Sequence, residues 1–469
     1  MRIVLLGAGT VGIQIARELI AENRDVVVIE RDPELARLAD NELDCLVLNE
    51  DGSRPETLRK AETHRADWFI ALTGSDAVNI VACGLVAAES PKTRTIARME
   101  ASFYNALSNA QKKTFGLDFL VNPAMETARS LSRIIAEGFA EQVTPLHDGS
   151  LQLRMVETAD LPGYVGKTLS EIKMDSSAHY LIAAVVREGR IHVPKGDFKI
   201  REEDRLYVLG LPEVLDAVLG AVEGLTDVPR RIVILGATKV SERLISLLQN
   251  RNETASNGFA HAVRRFFQKK SVITLVDASE PDCKKFAQAF QNITVIHGDC
   301  AEEGVLESAG VAKADLFVAA TDSQSKNIIT AQLAKTLGSK KAMAVTLNHR
   351  FLPIGPDLEV DSFVCANDAI AASVLETLRK GHIRTIYSFY EDSVEIAELR
   401  LDARSPVAGK KLREVDLPSD VLIAFLHQNS GFIVPTGNTV LNAGDTIALI
   451  VHKKNITEIE NIFGGADGD

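Results

Sequence analysis

The chain opens on four consecutive apolar residues, Ile3–Leu6, followed by the turn Gly7-Ala8-Gly9-Thr10-Val11-Gly12 and a stretch with apolar residues at helical spacing. Short apolar runs recur near residues 2–6, 26–30, 44–48, 67–72, 94–98 and 118–121, with amphipathic segments between them. Short strands that are apolar throughout are buried on both faces. Alternating with helices, they predict a parallel, doubly wound sheet. The last run leads into a helix from about Ala124 to Phe139, with Leu131, Ile134 and Ile135 at helical spacing. This apolar face either covers the helix's own sheet or meets another domain. Beyond residue 140 the pattern changes to short alternating strands, glycine turns and one short helix, which reads as a small α+β module.

The whole pattern occurs twice. The segment beginning RIVLLG at Arg2 returns as RIVILG at Arg231. Ala66, Asp67, Phe69, Ala71, Thr73, Ser75, Asn79 and Ile80 recur at a constant offset of 248, whereas Gly7 and Gly236 are 229 apart. The second copy therefore carries about 19 extra residues, for which the segment from Asn250 is the candidate. The small module also repeats: VGKTLSEI at Val165 matches AGKKLREV at Ala408. The helix after the second set of strands, with Ile370, Val374 and Leu378, is expected to run through Lys380. The fold class expected is α/β: two Rossmann-like parallel-sheet domains, each followed by a small α+β lobe. The boundaries expected are 1–140, 141–224, 229–382 and 388–469, with linkers at 141–150, 222–229 and 381–392.

Composition narrows the functional classes. Apolar residues make up 46% and charged residues 25%, which excludes a disordered or fibrous chain. A net charge of -12 argues against nucleic acid as a main partner and against a polybasic membrane anchor. The least polar stretch, Ala77–Ala88, is too short to span a bilayer, and the N-terminus starts a strand rather than a signal peptide. Five cysteines without a CxxC pair fit a reduced, cytosolic compartment and no structural zinc.

The first glycine turn is a complete GxGxxG between a strand and a helix. In such a turn Gly7 permits the tight bend, Gly9 lets phosphate approach the backbone, and Gly12 lets helix and strand pack closely. The amides of Ala8, Thr10 and Val11 belong to the same loop and helix start, where a partial positive charge faces an anion. Glu30 ends the second strand, where a carboxylate accepts both ribose hydroxyls and repels a 2′-phosphate. Asp51, after the third strand, reaches adenine or caps the following helix. Thr73 and Gly74 follow the fourth strand; Thr73 contacts ligand or caps the next helix. Asp76 and Asn79 read as a solvated helix face. Arg98 pairs with phosphate or forms a surface salt bridge.

The second copy departs from this pattern. Its turn is Gly236-Ala237-Thr238-Lys239-Val240-Ser241, so two of the three glycines are replaced. Asp277, Asp299 and Thr321 match Glu30, Asp51 and Thr73, and Thr346 replaces Arg98. A Cβ at position 238 crowds a pyrophosphate, while Lys239 offers a positive charge. The two sites are expected to be unequal.

The sequence has no Walker A motif and no HExxH motif. His297 and Cys300, which flank Asp299, read as structural. The small modules show no acid–base constellation of the kind that positions a hydride acceptor.

The glycine turn with Glu30, the segment ALTGSDAVN, IARME at Ile96 and the VGKTLSEI module resemble the RCK domain, the regulator of K⁺ conductance. Two copies in one chain resemble the peripheral regulatory subunits of bacterial potassium-uptake systems. The resemblance implies a non-enzymatic homo-oligomer, a tetramer, on the cytoplasmic face of a potassium-translocating membrane subunit. NAD(H) or ATP/ADP would act there as regulatory ligand at the residues named above in each copy. An NAD-dependent oxidoreductase and a free-standing nucleotide-binding regulator remain the alternatives.

Overall fold

The computed structural model describes residues 1–463 except 102–106, 138–142, 147–150, 162, 175–179, 189, 220–228, 250–270, 303, 348–357, 379–382, 389–393, 419 and 429–430. The insertion from Asn250 and the linker 222–228 lie outside the described residues. The chain divides into two compact units, each assembled from both repeats. One comprises Met1–Ile20, Arg24–Phe139 and Thr226–Leu375; the other comprises Ala21–Asn23, Ala140–Leu225 and Glu376–Asp469.

The first unit holds two Rossmann-like sheets. In the first repeat β1 (Arg2–Leu6), β2 (Asp25–Glu30), β3 (Leu46–Asn49), β4 (Trp68–Ala71), β5 (Arg94–Arg98) and β6 (Phe119–Val121) are ordered β3-β2-β1-β4-β5-β6, all parallel. Helices α1 (Thr10–Ala21), α2 (Pro33–Glu42), α3 (Pro55–Lys60), α4 (Asp76–Glu89), α5 (Asn109–Thr114) and α6 (Pro123–Glu137) separate or follow the strands. The strand order reverses between β1 and β4, so the loops leaving these two strands face a common crevice. The apolar runs explain the assignment, because Ile3, Val4, Leu5 and Leu6 are all buried, as are Val26 to Ile29.

Strands β7 to β11 and helices α7 and α8 belong to the first small lobe, described below. The second repeat then rebuilds the same sheet. Strands β12 (Arg231–Leu235), β13 (Val272–Asp277), β14 (Ile293–His297), β15 (Leu316–Ala319), β16 (Lys341–Thr346) and β17 (Ser362–Cys365) run in the order β14-β13-β12-β15-β16-β17. Its helices are α9 (Lys239–Gln249), α10 (Glu280–Ala289), α11 (Val305–Ser308), α12 (Gln324–Thr336) and α13 (Ala366–Leu378).

The two halves of this unit share a core. Ala128, Leu131 and Ile135 of α6 are buried in one cluster with Ile234 of β12, Leu244 of α9, Leu275 of β13 and Val318 of β15. The apolar face of α6 thus packs on the sheet of the other repeat. On the reciprocal helix α13, Ile370, Val374 and Leu378 are buried, and Gln14 of α1 donates to Asp368 at 2.8 Å.

The second unit holds the two small lobes, each built on a five-stranded antiparallel sheet. The first contains β7 (Val143–Leu146), β8 (Leu151–Glu157), α7 (Leu169–Met174), β9 (Tyr180–Arg187), β10 (Arg190–His192), β11 (Arg205–Gly210) and α8 (Pro212–Leu219). The second contains β18 (Ile383–Ser388), β19 (Val394–Arg400), β20 (Leu422–Gln428), β21 (Gly431–Ile433), β22 (Thr446–His452) and α14 (Ile456–Phe463). The sheet orders are β10-β9-β11-β8-β7 and β18-β19-β22-β20-β21. Leu153, Ala184 and Leu209 of one sheet share a buried cluster with Ile396, Phe425 and Ile450 of the other.

Three expectations are corrected here. The segments 141–150 and 381–392 are not plain linkers, because each carries an edge strand, β7 and β18. Pro145, which lacks an N–H, sits in β7, and the sheet edge tolerates it. Among its described residues the first small lobe has two α-helices, α7 and α8, rather than one.

Candidate nucleotide site

The first crevice begins where β1 ends. Gly7 has φ +106°, a conformation that costs a side chain strain, and its N–H donates to the Ile29 carbonyl at 2.8 Å. A Cβ on Gly12 would lie 2.0 Å from the Gly7 carbonyl oxygen. These two glycines are required by the turn itself. Gly9 and Gly74 differ from them: a Cβ built on either meets no protein atom within 4 Å. Both lie on loops that flank the reversal of strand order, so the protein's own packing does not demand a glycine at either place. A ligand approaching the backbone would favour a glycine at both places.

Glu30 reaches this loop directly. One carboxylate oxygen accepts from the Ala8 N–H at 2.7 Å and the other from the Asp32 N–H at 2.8 Å. Each oxygen has a second lone pair for a further donor such as a ribose hydroxyl. Glu30 thus also anchors the glycine loop, a role the sequence reading did not assign.

Asp51 accepts from the N–H and hydroxyl of Ser53 at 3.0 and 2.7 Å, and these bonds hold its carboxyl below the ordinary carboxylate range. It closes a local turn; α3 begins only at Pro55, after Arg54. Thr73 donates its hydroxyl to Asn79 at 2.7 Å, and its N–H donates to the same oxygen. The Asn79 amide donates to the carbonyls of Thr73 and Arg98 at 3.1 and 2.8 Å.

Asn79 is fully buried, which corrects its reading as a solvated position. It clamps the ends of β4 and β5 beside the crevice. Asp76 accepts the N–H groups of Glu100 and Ala101 and so fixes the exit of β5. Arg98 donates to Glu100 at 2.6 Å, while its buried Nε has no hydrogen-bond partner. The salt-bridge reading of Arg98 therefore describes one of its nitrogens.

The second crevice repeats much of this. Gly236 has φ +106°, and Asp277 accepts from Ala237 and Ser279, both at 2.7 Å. Thr321, Asn327 and Val345 repeat the clamp, with Asn327 donating to both carbonyls. Lys239 and Val240 open α9, and Ser241 is buried where Gly12 stands in the first copy. Thr238 donates its hydroxyl to the Ala320 carbonyl at 2.8 Å and accepts the Ser241 N–H at 3.3 Å. Asp299 accepts from the Ala301 N–H and from Lys326 at 3.1 Å, which together hold it below the ordinary range. Lys326 was missed by the sequence reading, because the first copy has Val78 at its place.

His297 bonds the Ala278 carbonyl, and burial pushes the Cys300 thiol up. Burial likewise raises Cys45, to about 11, and Cys365, to about 12. No group of described residues is arranged to hold a metal ion, and no described helix is long and apolar enough to cross a membrane.

Two Rossmann-like sheets, each followed in the chain by a small antiparallel lobe, define a tandem RCK-type protein. The TrkA-N domain model matches residues 3–123 and 232–366, and the TrkA-C domain model matches 153–221 and 396–464. The chain belongs to the TrkA family.

Among its relatives is Trk system potassium uptake protein TrkA homolog 1 of Methanosarcina mazei, 29% identical over 99% of this chain and 100% of that protein. Another is Trk system potassium uptake protein TrkA of Halomonas elongata, 26% identical over 99% and 98%. The crystal structure of the GsuK RCK domain matches with TM-score 0.52 at 18% identity, over 98% of this chain and 94% of that one. The GsuK channel bound to NAD matches with the same TM-score and identity, over 98% and 78%. At this identity the structural likeness establishes the fold.

Proposed function

We propose that the chain is a non-enzymatic, nucleotide-sensing regulatory subunit of a potassium-uptake system. The observation that carries this reading is the match of the whole chain to proteins named for potassium uptake, and the pair Gly9 and Gly74, where a Cβ would meet no protein atom within 4 Å, supports its nucleotide part. Gly9 follows Ala8, whose N–H donates to Glu30, the carboxylate this reading gives to ribose. The ligand would be NAD(H) or ATP/ADP, held by the loop Gly7 to Gly12, Glu30, Asp51, Thr73, Gly74 and Arg98. The names of the relatives and the NAD-bound GsuK channel support this reading.

The partner would be a TrkH- or TrkG-like potassium-translocating membrane subunit, with the chain peripheral on the inner face of the cell membrane as a homotetramer. A ligand shifts such an assembly only as far as it prefers one state over the other, typically by about 1–3 kcal/mol per coupled site. The interlocked halves of the first unit offer a path: α1, which starts at the glycine loop, is bonded to α13 of the other repeat through Gln14 and Asp368.

Calorimetric titration of the full chain with NADH and ATP tests the reading. Glu30→Ala should weaken binding roughly ten- to a hundredfold, since a hydrogen bond to a charged group is worth about 1.5–3 kcal/mol. Unchanged affinity for both nucleotides in a variant that still folds would reject the site. The oligomer should elute well above 50.9 kDa.

A further inference from the structure

We propose that Thr238 closes the second crevice to nucleotide, so that each chain takes one adenosine-phosphate ligand, in the first crevice. The inference rests on the reading of the first crevice given above.

A helix start binds an anion because its first N–H groups lack partners within the helix. In the first crevice Gly9 precedes α1 and has no side chain to offer them. In the second, Thr238 precedes α9 and its hydroxyl oxygen takes the Ser241 N–H at 3.3 Å. This is the side-chain capping geometry in which a threonine supplies the oxygen that a phosphate would otherwise bring.

The same hydroxyl donates to the Ala320 carbonyl at 2.8 Å. Ala320 follows β15, so the bond joins the loops on the two sides of the strand-order reversal. This is the passage that the first crevice leaves clear at Gly9.

Two further differences act in the same direction. Asp299, the counterpart of Asp51, is ion-paired with Lys326 in the first turn of α12. The first crevice has Val78 there, and Asp51 accepts from Ser53 of its own loop, with Arg54 more distant at 3.9 Å. At the end of the fifth strand, buried Thr346 replaces Arg98, so a cation is missing where a phosphate would want one. A pyrophosphate at the start of α9 must displace the Thr238 hydroxyl from the Ser241 N–H and the Ala320 carbonyl. The other repeated parts, Asp277 on the Ala237 N–H and Thr321 on Asn327, make the same bonds as their counterparts in the first crevice, so the difference between the crevices lies in the turn, in Lys326 and at Thr346.

The test is titration calorimetry of the full chain with NADH and, separately, ATP. The proteins are wild type, Glu30→Ala, Thr238→Gly/Ser241→Gly, and the combination of all three changes. We expect one site per chain in wild type and binding at least about tenfold weaker in Glu30→Ala. The double glycine variant should gain a second site, which should survive Glu30→Ala. Thr238→Ser, which keeps the hydroxyl, should gain none.

Two sites in wild type would overturn the proposal, as would no gained site in a glycine variant that unfolds like wild type. If wild type binds neither nucleotide, the reading of the first crevice fails separately. The glycine variant still decides this proposal, because a gained site supports it and none overturns it. Should the double variant not fold, Thr238→Gly alone removes the hydroxyl and the Cβ and leaves Ser241 in place; measurable second-site binding then supports the proposal, and its absence refutes it.

Discussion

Substituting alanine at Gly9 and at Gly12 should separate what the glycine loop does for the fold from what it does for a ligand. At Gly12 the new Cβ would stand 2.0 Å from the Gly7 carbonyl oxygen. Ordinary contact begins near 3.4 Å, so the loop must retreat by more than an ångström. That retreat strains the Gly7–Ile29 and Ala8–Glu30 bonds. Overpacking of this kind costs about 1–3 kcal/mol. At Gly9 the Cβ meets nothing and the backbone is not left-handed. Alanine there restricts the unfolded chain and should stabilise by about 0.4–1 kcal/mol. The two variants should therefore differ by roughly 1.4–4 kcal/mol in stability. Urea unfolding followed by the fluorescence of Trp68 reads this, since Trp68 is the single tryptophan and is buried in β4, beside β1. Calorimetry on the same proteins should show Gly9→Ala binding nucleotide at least about tenfold more weakly despite its intact stability. Equal destabilisation by both changes would mean that Gly9 serves the fold. Unchanged affinity in Gly9→Ala would mean that no phosphate passes there.

Other outcomes follow from the packing and the charges. Leu131→Ala on α6 should destabilise the unit that holds both Rossmann sheets by about 2–5 kcal/mol, because the side chain is fully buried against the other repeat; a loss under about 1 kcal/mol in chemical denaturation would contradict that packing. Burial alone would raise the Asp204 carboxyl, but two bonds from Arg187 and one from the Arg201 N–H outweigh it and hold it below the ordinary range. Its contribution is therefore present above about pH 4 and lost as pH falls through the lowered value, and Asp204→Asn should flatten the acid limb of a stability–pH profile. Purified protein should show no steady NADH oxidation with carbonyl substrates, and turnover linear in protein concentration would favour the oxidoreductase alternative.

Much of the architecture was legible because buried parallel strands are continuous apolar runs, and because the offset of 248 from Ala66 to Ala314 marks the repeat. The destination of α6 was not legible. An apolar stripe at Leu131 and Ile135 states that a partner exists, and both its own sheet and the neighbouring one satisfy it. Strands β7 and β18 were read as linkers because short edge strands carry little apolar patterning. Asn79 was misread because polarity normally means solvent. The available signal was the Thr73–Asn79 spacing, which returns unchanged as Thr321–Asn327. Crowding at Thr238 was readable from the missing glycine. Its hydrogen bond to Ala320 was not, because that bond depends on how two loops distant in sequence approach each other.

The proposed role has the chain set the activity of a potassium-uptake system through a nucleotide in its first crevice. The most direct measurement is the initial rate of K⁺ uptake by potassium-starved cells that lack the chain, complemented with wild type or with Gly9→Ala. Deletion should slow uptake and the wild-type chain should restore it, while Gly9→Ala, though folded and expressed equally, should fail to restore the wild-type rate. Uptake unaltered by deletion, or restored fully by a variant that no longer binds nucleotide, would contradict the account.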